Sequence, residues 1–251
     1  ISVYRGVADG SVEYIRHNNT ALWVLQRNST NILRGSSLLA TVHGAVLRDI
    51  PEVETVSPIL LLLPALKKGD ASATVFLAGY DPATGIGGPP QITAGHSVES
   101  EDEIVLDRSF AARFHIRIGD SVQVQDDTLR VVGVSTGTNA FVMQYAFVTL
   151  SKAQSLMGFS GIVTCYLVKV KEGRSVPKVM HYIKNELLGF EVYDHETFLQ
   201  NNIHEMETGF LTLLYAIAFL GTIVLTAILS LLLSISILER RKDFAVTKAL
   251  G

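Results

Sequence analysis

The chain has 251 residues, 48% of them hydrophobic and only 18% charged, with a mean hydropathy of +0.31 and a formal net charge of −3. Soluble domains carry about a quarter charged residues, so the question is where the apolar excess sits. The even balance of 21 basic and 24 acidic residues, spread along the chain, gives no support for nucleic-acid binding, which shows as a basic patch or stripe, and a single cysteine, Cys165, excludes an intrachain disulfide or a cysteine-based zinc site.

Thr20–Gln26 is rich in β-formers and is expected as a strand. Ser36 or Ser37 is expected to cap a helix whose apolar positions are Leu38, Leu39, Val42, Val46, Leu47 and Ile50, ending at Pro51. In Val53–Leu66, the run Leu60–Leu63 between Pro58 and Pro64 is too short to cross a bilayer and reads as a buried strand. Thr74–Tyr80 is another strand, after which Gly85, Gly87, Gly88, Pro89 and Pro90 mark a connection and a boundary near residue 90. Residues 91–140 are expected as a β-rich insert: a strand Glu103–Asp107, helical turns over Arg108–Phe114, and a hairpin turning at Asp126–Thr128. From residue 141 to 205 the α/β pattern returns. It contains a strand Tyr145–Leu150, a helix Lys152–Met157 with Ser151 and Gln154 as capping box, a strand Ile162–Lys171, a helix from Ser175 through Leu188 with Pro177 in its first turn, and a strand Phe190–Tyr193. The fold class is therefore α+β: a mixed-sheet body formed by residues 1–90 and 141–205, a β-rich insert, and one transmembrane helix over 206–238.

That helix holds the apolar excess. From Thr208 to Leu238 there is no charged residue or histidine, and a bilayer's hydrocarbon needs only about 20 apolar residues as helix. Glu239-Arg240-Arg241-Lys242 follows, with Lys248 beyond, whereas His204, Glu205 and Glu207 precede it; the positive-inside bias puts the C-terminal end in the cytoplasm and residues 1–205 outside. Ala218, Thr222, Thr226, Ser230 and Ser234 recur every four residues as a ridge of small side chains on which another helix can pack, unless the hydroxyls bond back to their own helix.

Catalytic chemistry is not legible. Gly85-Ile86-Gly87-Gly88 lacks the spacing of a phosphate loop, the seven histidines show no metal-binding spacing, and Asp194-His195-Glu196 is explained by Asp194 capping the next helix. No catalytic, cofactor-binding or metal-binding residue is assigned. A start at Ile1 rather than Met leads to the expectation of a longer parent protein.

Leu238–Gly251 (LERRKDFAVTKALG) resembles the segment after the second membrane helix of MacB/FtsX-like ABC permeases. Leu22–Gln26 (LWVLQ), Ile50–Val53 (IPEV), Leu77–Asp81 (LAGYD), Glu103–Asp107 (EIVLD), Ile118–Asp120 and Leu129–Val134 (LRVVGV) resemble that family's periplasmic core domain, in the family's order. The resemblance implies a permease subunit of an ABC transporter that couples a separate cytoplasmic ATPase to movements of the extracytoplasmic domain. No cofactor is then expected in this chain, ATP being bound by the partner. The same resemblance places Glu239, Arg240, Arg241, Lys242 and Lys248 in the segment near the ATPase. It also implies a homodimer or a related permease as membrane partner, a periplasmic adaptor in some members, and a multi-pass protein of the cytoplasmic membrane, with no nucleic-acid partner. The alternative is a single-span extracytoplasmic sensor that signals to a cytoplasmic output domain.

Overall fold

The structure is a computed structural model that describes residues 12–18, 20–32, 37–138 and 144–249, the side chains of 209–211, 213 and 238–249 excepted. Two compact units divide the chain, residues 1–206 and 207–251.

The first unit is built on one mixed sheet. In chain order its elements are α1 (Glu13–His17), β1 (Leu22–Gln26), β2 (Leu39–Ala40), α2 (His43–Arg48), β3 (Val53–Leu62), β4 (Ala65–Lys68), β5 (Ala71–Thr74) and β6 (Phe76–Tyr80). There follow β7 (Gln91–Gly95), β8 (Glu103–Asp107), α3 (Arg108–Arg113), β9 (Ser121–Val124), β10 (Asp127–Thr136) and β11 (Tyr145–Thr149). The unit closes with α4 (Leu150–Met157), β12 (Ile162–Val163), β13 (Cys165–Val170), α5 (Val176–Glu186), β14 (Phe190–Asp194) and the start of α6 (His195–Ala249). The strand order is β14-β1-β13-β3-β6-β11-β8-β10-β9-β4-β5, with β7 alongside β10, and β2 pairs with β12 as a separate ribbon. The pairs β6/β11 and β8/β10 are parallel and the rest antiparallel.

The period of two along the strands sorts the core into layers. Trp23 and Leu25 of β1, Phe76, Ala78 and Tyr80 of β6, and Tyr145 and Phe147 of β11 face one way, under Tyr14 and Ile15 of α1 and Phe198 and Leu199 of α6. The alternate residues face the other way: Leu22 and Val24 lie under Leu47 of α2 and Ile183 of α5, while Leu77, Ala146 and Val148 lie under Phe110 of α3 and Ala153 of α4. Strands covered on both faces read as unbroken apolar runs, which is why LWVLQ, FLAGY and YAFVT carry so little polar alternation. β3 joins the two ends of the sheet, pairing with β13 over residues 53–59 and with β6 over 60–62. Pro58 falls where β3 has one neighbour only, so its missing N–H costs no central ladder bond.

Several sequence expectations shift. Ser37 caps no helix: its hydroxyl accepts from the Gln26 N–H and donates to the Thr164 carbonyl. Leu39 is a strand residue paired with Val163, and the helix shrinks to His43–Arg48, leaving Leu38, Val42 and Val46 exposed; Ser36 lies outside the described residues. The hairpin turns at Gln125-Asp126, one residue early, with Gln125 at φ 55°. Thr149, not Ser151, caps α4 by accepting from the Lys152 N–H at 3.2 Å, while Gln154 donates to the Ile162 carbonyl at 2.9 Å. Residues 91–138 supply β7–β10, which are hydrogen-bonded into the same sheet: β8 pairs with β11, and β9 with β4 from the first segment.

The second unit is the rest of α6. Leu214–Ile237, 24 residues with mean hydropathy 2.6, is long and apolar enough to cross a membrane, and none of it is buried within the chain. At 1.5 Å per residue it spans about 36 Å, against about 30 Å of hydrocarbon.

Candidate functional site: the root of the membrane helix

The first turns of α6 lie in the core of the sheet unit. Asp194, last residue of β14, accepts from the Thr197 N–H at 2.9 Å and from its hydroxyl at 2.8 Å, so it is the expected N-cap of α6. These bonds hold its carboxyl below the usual carboxylate range. Its neighbour His195 has a buried Nδ1 without a partner, and desolvation lowers its pKa, favouring the neutral ring. One turn on, Phe198 is fully buried and stacks on Trp23 of β1 at 4.6 Å and near Tyr193 of β14 at 6.0 Å. Asn202, fully buried, accepts from the Ile32 N–H at 3.1 Å and donates to the Phe198 carbonyl at 2.8 Å. Three consecutive turns of α6 are thus fixed by a cap, an aromatic stack and a satisfied buried amide. Sequence reasoning singled out Asp194 but neither Trp23 nor Asn202; the available signal was an amide on the helical face of Phe198, Leu199 and Ile203.

A carboxylate held low in the folded state binds its proton later than in the unfolded chain, so its cap is fully effective above about pH 4 and is lost on further acidification. Asp194→Ala is accordingly expected to cost about 1 kcal/mol at neutral pH. The gap between wild-type and variant urea midpoints should close as the pH falls below about 4. A pH-independent gap would remove the capping role.

The glycine-rich connection is structural. All six backbone N–H groups from Ala83 to Gly88 are engaged: to Asp81, to the Thr84 hydroxyl, to Asn18 Oδ1 and to the Gly85 carbonyl. None is left for an anion, so the loop cannot cradle phosphate. It borders a cleft of about 630 Å³ whose polar lining includes His17, Asn18, Thr55 and Lys169.

Ala218, Thr222, Thr226, Ser230 and Ser234 fall along the apolar stretch of α6. The hydroxyls of Thr222, Thr226 and Ser234 donate to the carbonyls of Ala218, Thr222 and Ser230, each at 2.8 Å, so these three bond back to their own helix, the alternative to bonding across a helix contact, while the small side chains themselves are exposed. The backbones of Glu239, Arg240, Arg241, Lys242 and Lys248 continue α6, and their side chains lie outside the described residues. The first three turns of α6 are thus rooted in the sheet unit, without a catalytic constellation among the described residues.

The family described as the MacB-like periplasmic core domain matches residues 1–186. The chain belongs to this family. A Mycobacterium tuberculosis protein, an uncharacterised ABC transporter permease, is 24% identical over 256 residues, covering 99% of this chain and 68% of that protein. A second such permease, from Methanocaldococcus jannaschii, is 27% identical over 147 residues, 54% of this chain and 36% of its own. Among solved structures, the periplasmic region of MacB from Actinobacillus actinomycetemcomitans superposes with TM-score 0.58 at 16% identity, covering 74% of this chain and 94% of that one. The extracellular domain of the noncanonic ABC-type transporter YknZ from Gram-positive bacteria gives 0.53 at 10% identity, covering 70% and 100%. At such identities the superpositions speak for the fold. The MacB-like core domain is therefore the α/β sheet unit, and the chain is an ABC transporter permease of the MacB type that carries a candidate membrane span.

Proposed function

We propose that this chain couples a separate cytoplasmic ATPase to movement of the extracytoplasmic sheet unit, for export or extraction of a substrate. The observation that carries the reading is that one element, α6, contains both the root fixed by Asp194, Phe198 and Asn202 and the span Leu214–Ile237. A helix held by its first three turns cannot shift at that end without moving Trp23 and the sheet with it. In this reading Glu239, Arg240, Arg241, Lys242 and Lys248 form the coupling segment at the cytoplasmic end, and the ATPase supplies the ATP chemistry. The ridge from Ala218 to Ser234 packs against a helix of a second copy or a related permease in the cytoplasmic membrane, within a multi-pass parent protein. A periplasmic adaptor is a further partner. Membership in a permease family favours this over the single-span sensor.

The test is the charge-reversed double variant Arg240→Glu/Arg241→Glu in the full-length protein. Like-charge contacts at an interface cost several kcal/mol, so stimulation of the co-purifying ATPase should be lost while expression and membrane insertion stay normal. Undiminished stimulation would overturn the coupling role.

A further inference from the structure

One face of the sheet unit changes character along β3 and β13. Ile59, Cys165 and Leu167 belong to its apolar layer. Continuing at every second residue, the same face presents Ser57 and Thr55 of β3 and Lys169 of β13. Thr55 and Lys169 pair directly across the two strands, which makes their side chains neighbours. This polar end of the face is walled in. The C-terminal end of α1 and the glycine-rich connection border it, and together they form the cleft of about 630 Å³. The two walls are tied to each other: the Tyr14 hydroxyl donates to the Gly87 carbonyl at 2.8 Å, and Asn18 Oδ1 accepts from the Gly87 N–H at 2.9 Å. A preformed cleft of about 300–1,000 Å³ is the usual size for a small organic ligand.

The lining holds hydrogen-bonding groups that the fold leaves unused. Thr20, two residues before β1 and 8% exposed, has a buried hydroxyl with no partner among the described residues. Desolvating such a group opposes folding, so the fold gains from an occupant that bonds it. The Thr55 hydroxyl likewise makes no hydrogen bond among the described residues. His17 Nδ1 lies 2.9 Å from the Glu13 carbonyl, which can only accept. In the neutral ring Nδ1 therefore carries the proton and Nε2 offers a lone pair. Lys169 is the one charged side chain among the described lining residues. Its ammonium is 2.9 Å from the Glu54 carboxylate, which balances the charge locally and leaves further N–H donors.

These groups select the chemistry of the occupant. A phosphate or carboxylate only accepts; it would leave Nε2 unmatched, meet the Glu54 carboxylate beside Lys169, and find every N–H of the connection already engaged. An organic cation would meet the Lys169 ammonium. A ring bearing several neutral hydroxyls matches all four groups, because each hydroxyl both donates and accepts. Its C–H face suits the pyrrolidine rings of Pro89 and Pro90, which also line the cleft. We propose that this cleft binds a neutral saccharide unit, held by Thr20, Thr55, His17 and Lys169 against Pro89 and Pro90. The site lies wholly within the sheet unit and needs no ATPase, so it and the coupling reading can fail independently.

The experiment places the full-length protein in phosphatidylcholine nanodiscs and measures, by NMR, saturation transfer from the protein to maltose, trehalose and N,N′-diacetylchitobiose. At least one of the three should bind saturably. Thr20→Val and Thr55→Val each remove one hydroxyl and should raise its Kd about two- to tenfold. The urea midpoint of the Thr20→Val protein should stay level or rise, because a buried hydroxyl without a partner is gone. Discs that also contain digalactosyl diacylglycerol separate the sources of the sugar. Loss of the free-sugar signal there assigns the unit to a glycolipid headgroup, an unchanged signal assigns it to a soluble glycan, and the site stands in both cases. Absence of transfer to all three sugars overturns the proposal, as does a Kd unmoved in both variants. Saturable binding of glucuronate or inorganic phosphate in their place, weakened by the same two substitutions, overturns it equally.

Discussion

Replacing Trp23 with alanine should lower the stability of the sheet unit by about 3–5 kcal/mol, the range for deleting a buried tryptophan side chain. Trp23 is fully buried, stacks on Phe198 and sits in the layer that also holds Leu25, Leu167 and Cys165. Its loss opens a cavity beneath α6 that a sheet fixed on both faces cannot close. Trp23→Phe should cost much less. It keeps an aromatic face for Phe198 and removes an indole Nε1 that is buried without a partner, a group whose desolvation opposes folding. The readout is the urea midpoint at constant m, followed by tyrosine near-ultraviolet circular dichroism. Equal losses for the two variants would mean that neither a retained aromatic face nor most of the volume replaces the indole, and would overturn this account. Because Trp23 is the single tryptophan, its fluorescence in the wild type also reports directly on detachment of the helix root.

Gly87→Ala should cost about 2–4 kcal/mol, from two independent sources. The residue sits at φ 84°, where a Cβ is strained, and a Cβ there would lie 2.0 Å from Ile59 Cδ1, inside the core of β3. Gly87 also receives the Tyr14 hydroxyl on its carbonyl at 2.8 Å and gives its N–H to Asn18 at 2.9 Å, so displacing it loosens α1 as well. The comparison is Gly85→Ala, at φ 67° with nothing near the added Cβ, which should show only the backbone term. Similar losses at both positions would exclude the packing contribution.

Much of the architecture was legible because it rests on short-range rules. Strands buried on both faces leave continuous apolar runs, Asp194 precedes a helix at capping distance, and a stretch with no charge from Thr208 to Leu238 has one comfortable environment. The small-residue ridge at four-residue spacing is equally local, as is the basic exit at Arg240 and Arg241.

Other features depend on residues far apart in the chain. Ser37 and Leu39 looked like a helix start, since periodicity cannot distinguish that from a segment whose backbone and hydroxyl are claimed by Thr164 and Val163, more than a hundred residues on. Residues 91–140 read as an insert because hydrogen bonding between β8 and β11 or β9 and β4 leaves no trace in local composition. The root of the membrane helix is the sharpest case. Sequence alone determined that an apolar helix follows a soluble α/β region. Only the tertiary structure decided that Trp23 meets Phe198 and Ile32 meets Asn202 to hold the first turns of α6 on the sheet, because burial and the pairing of a lone amide with a distant N–H are properties of the folded core and not of any stretch of the chain.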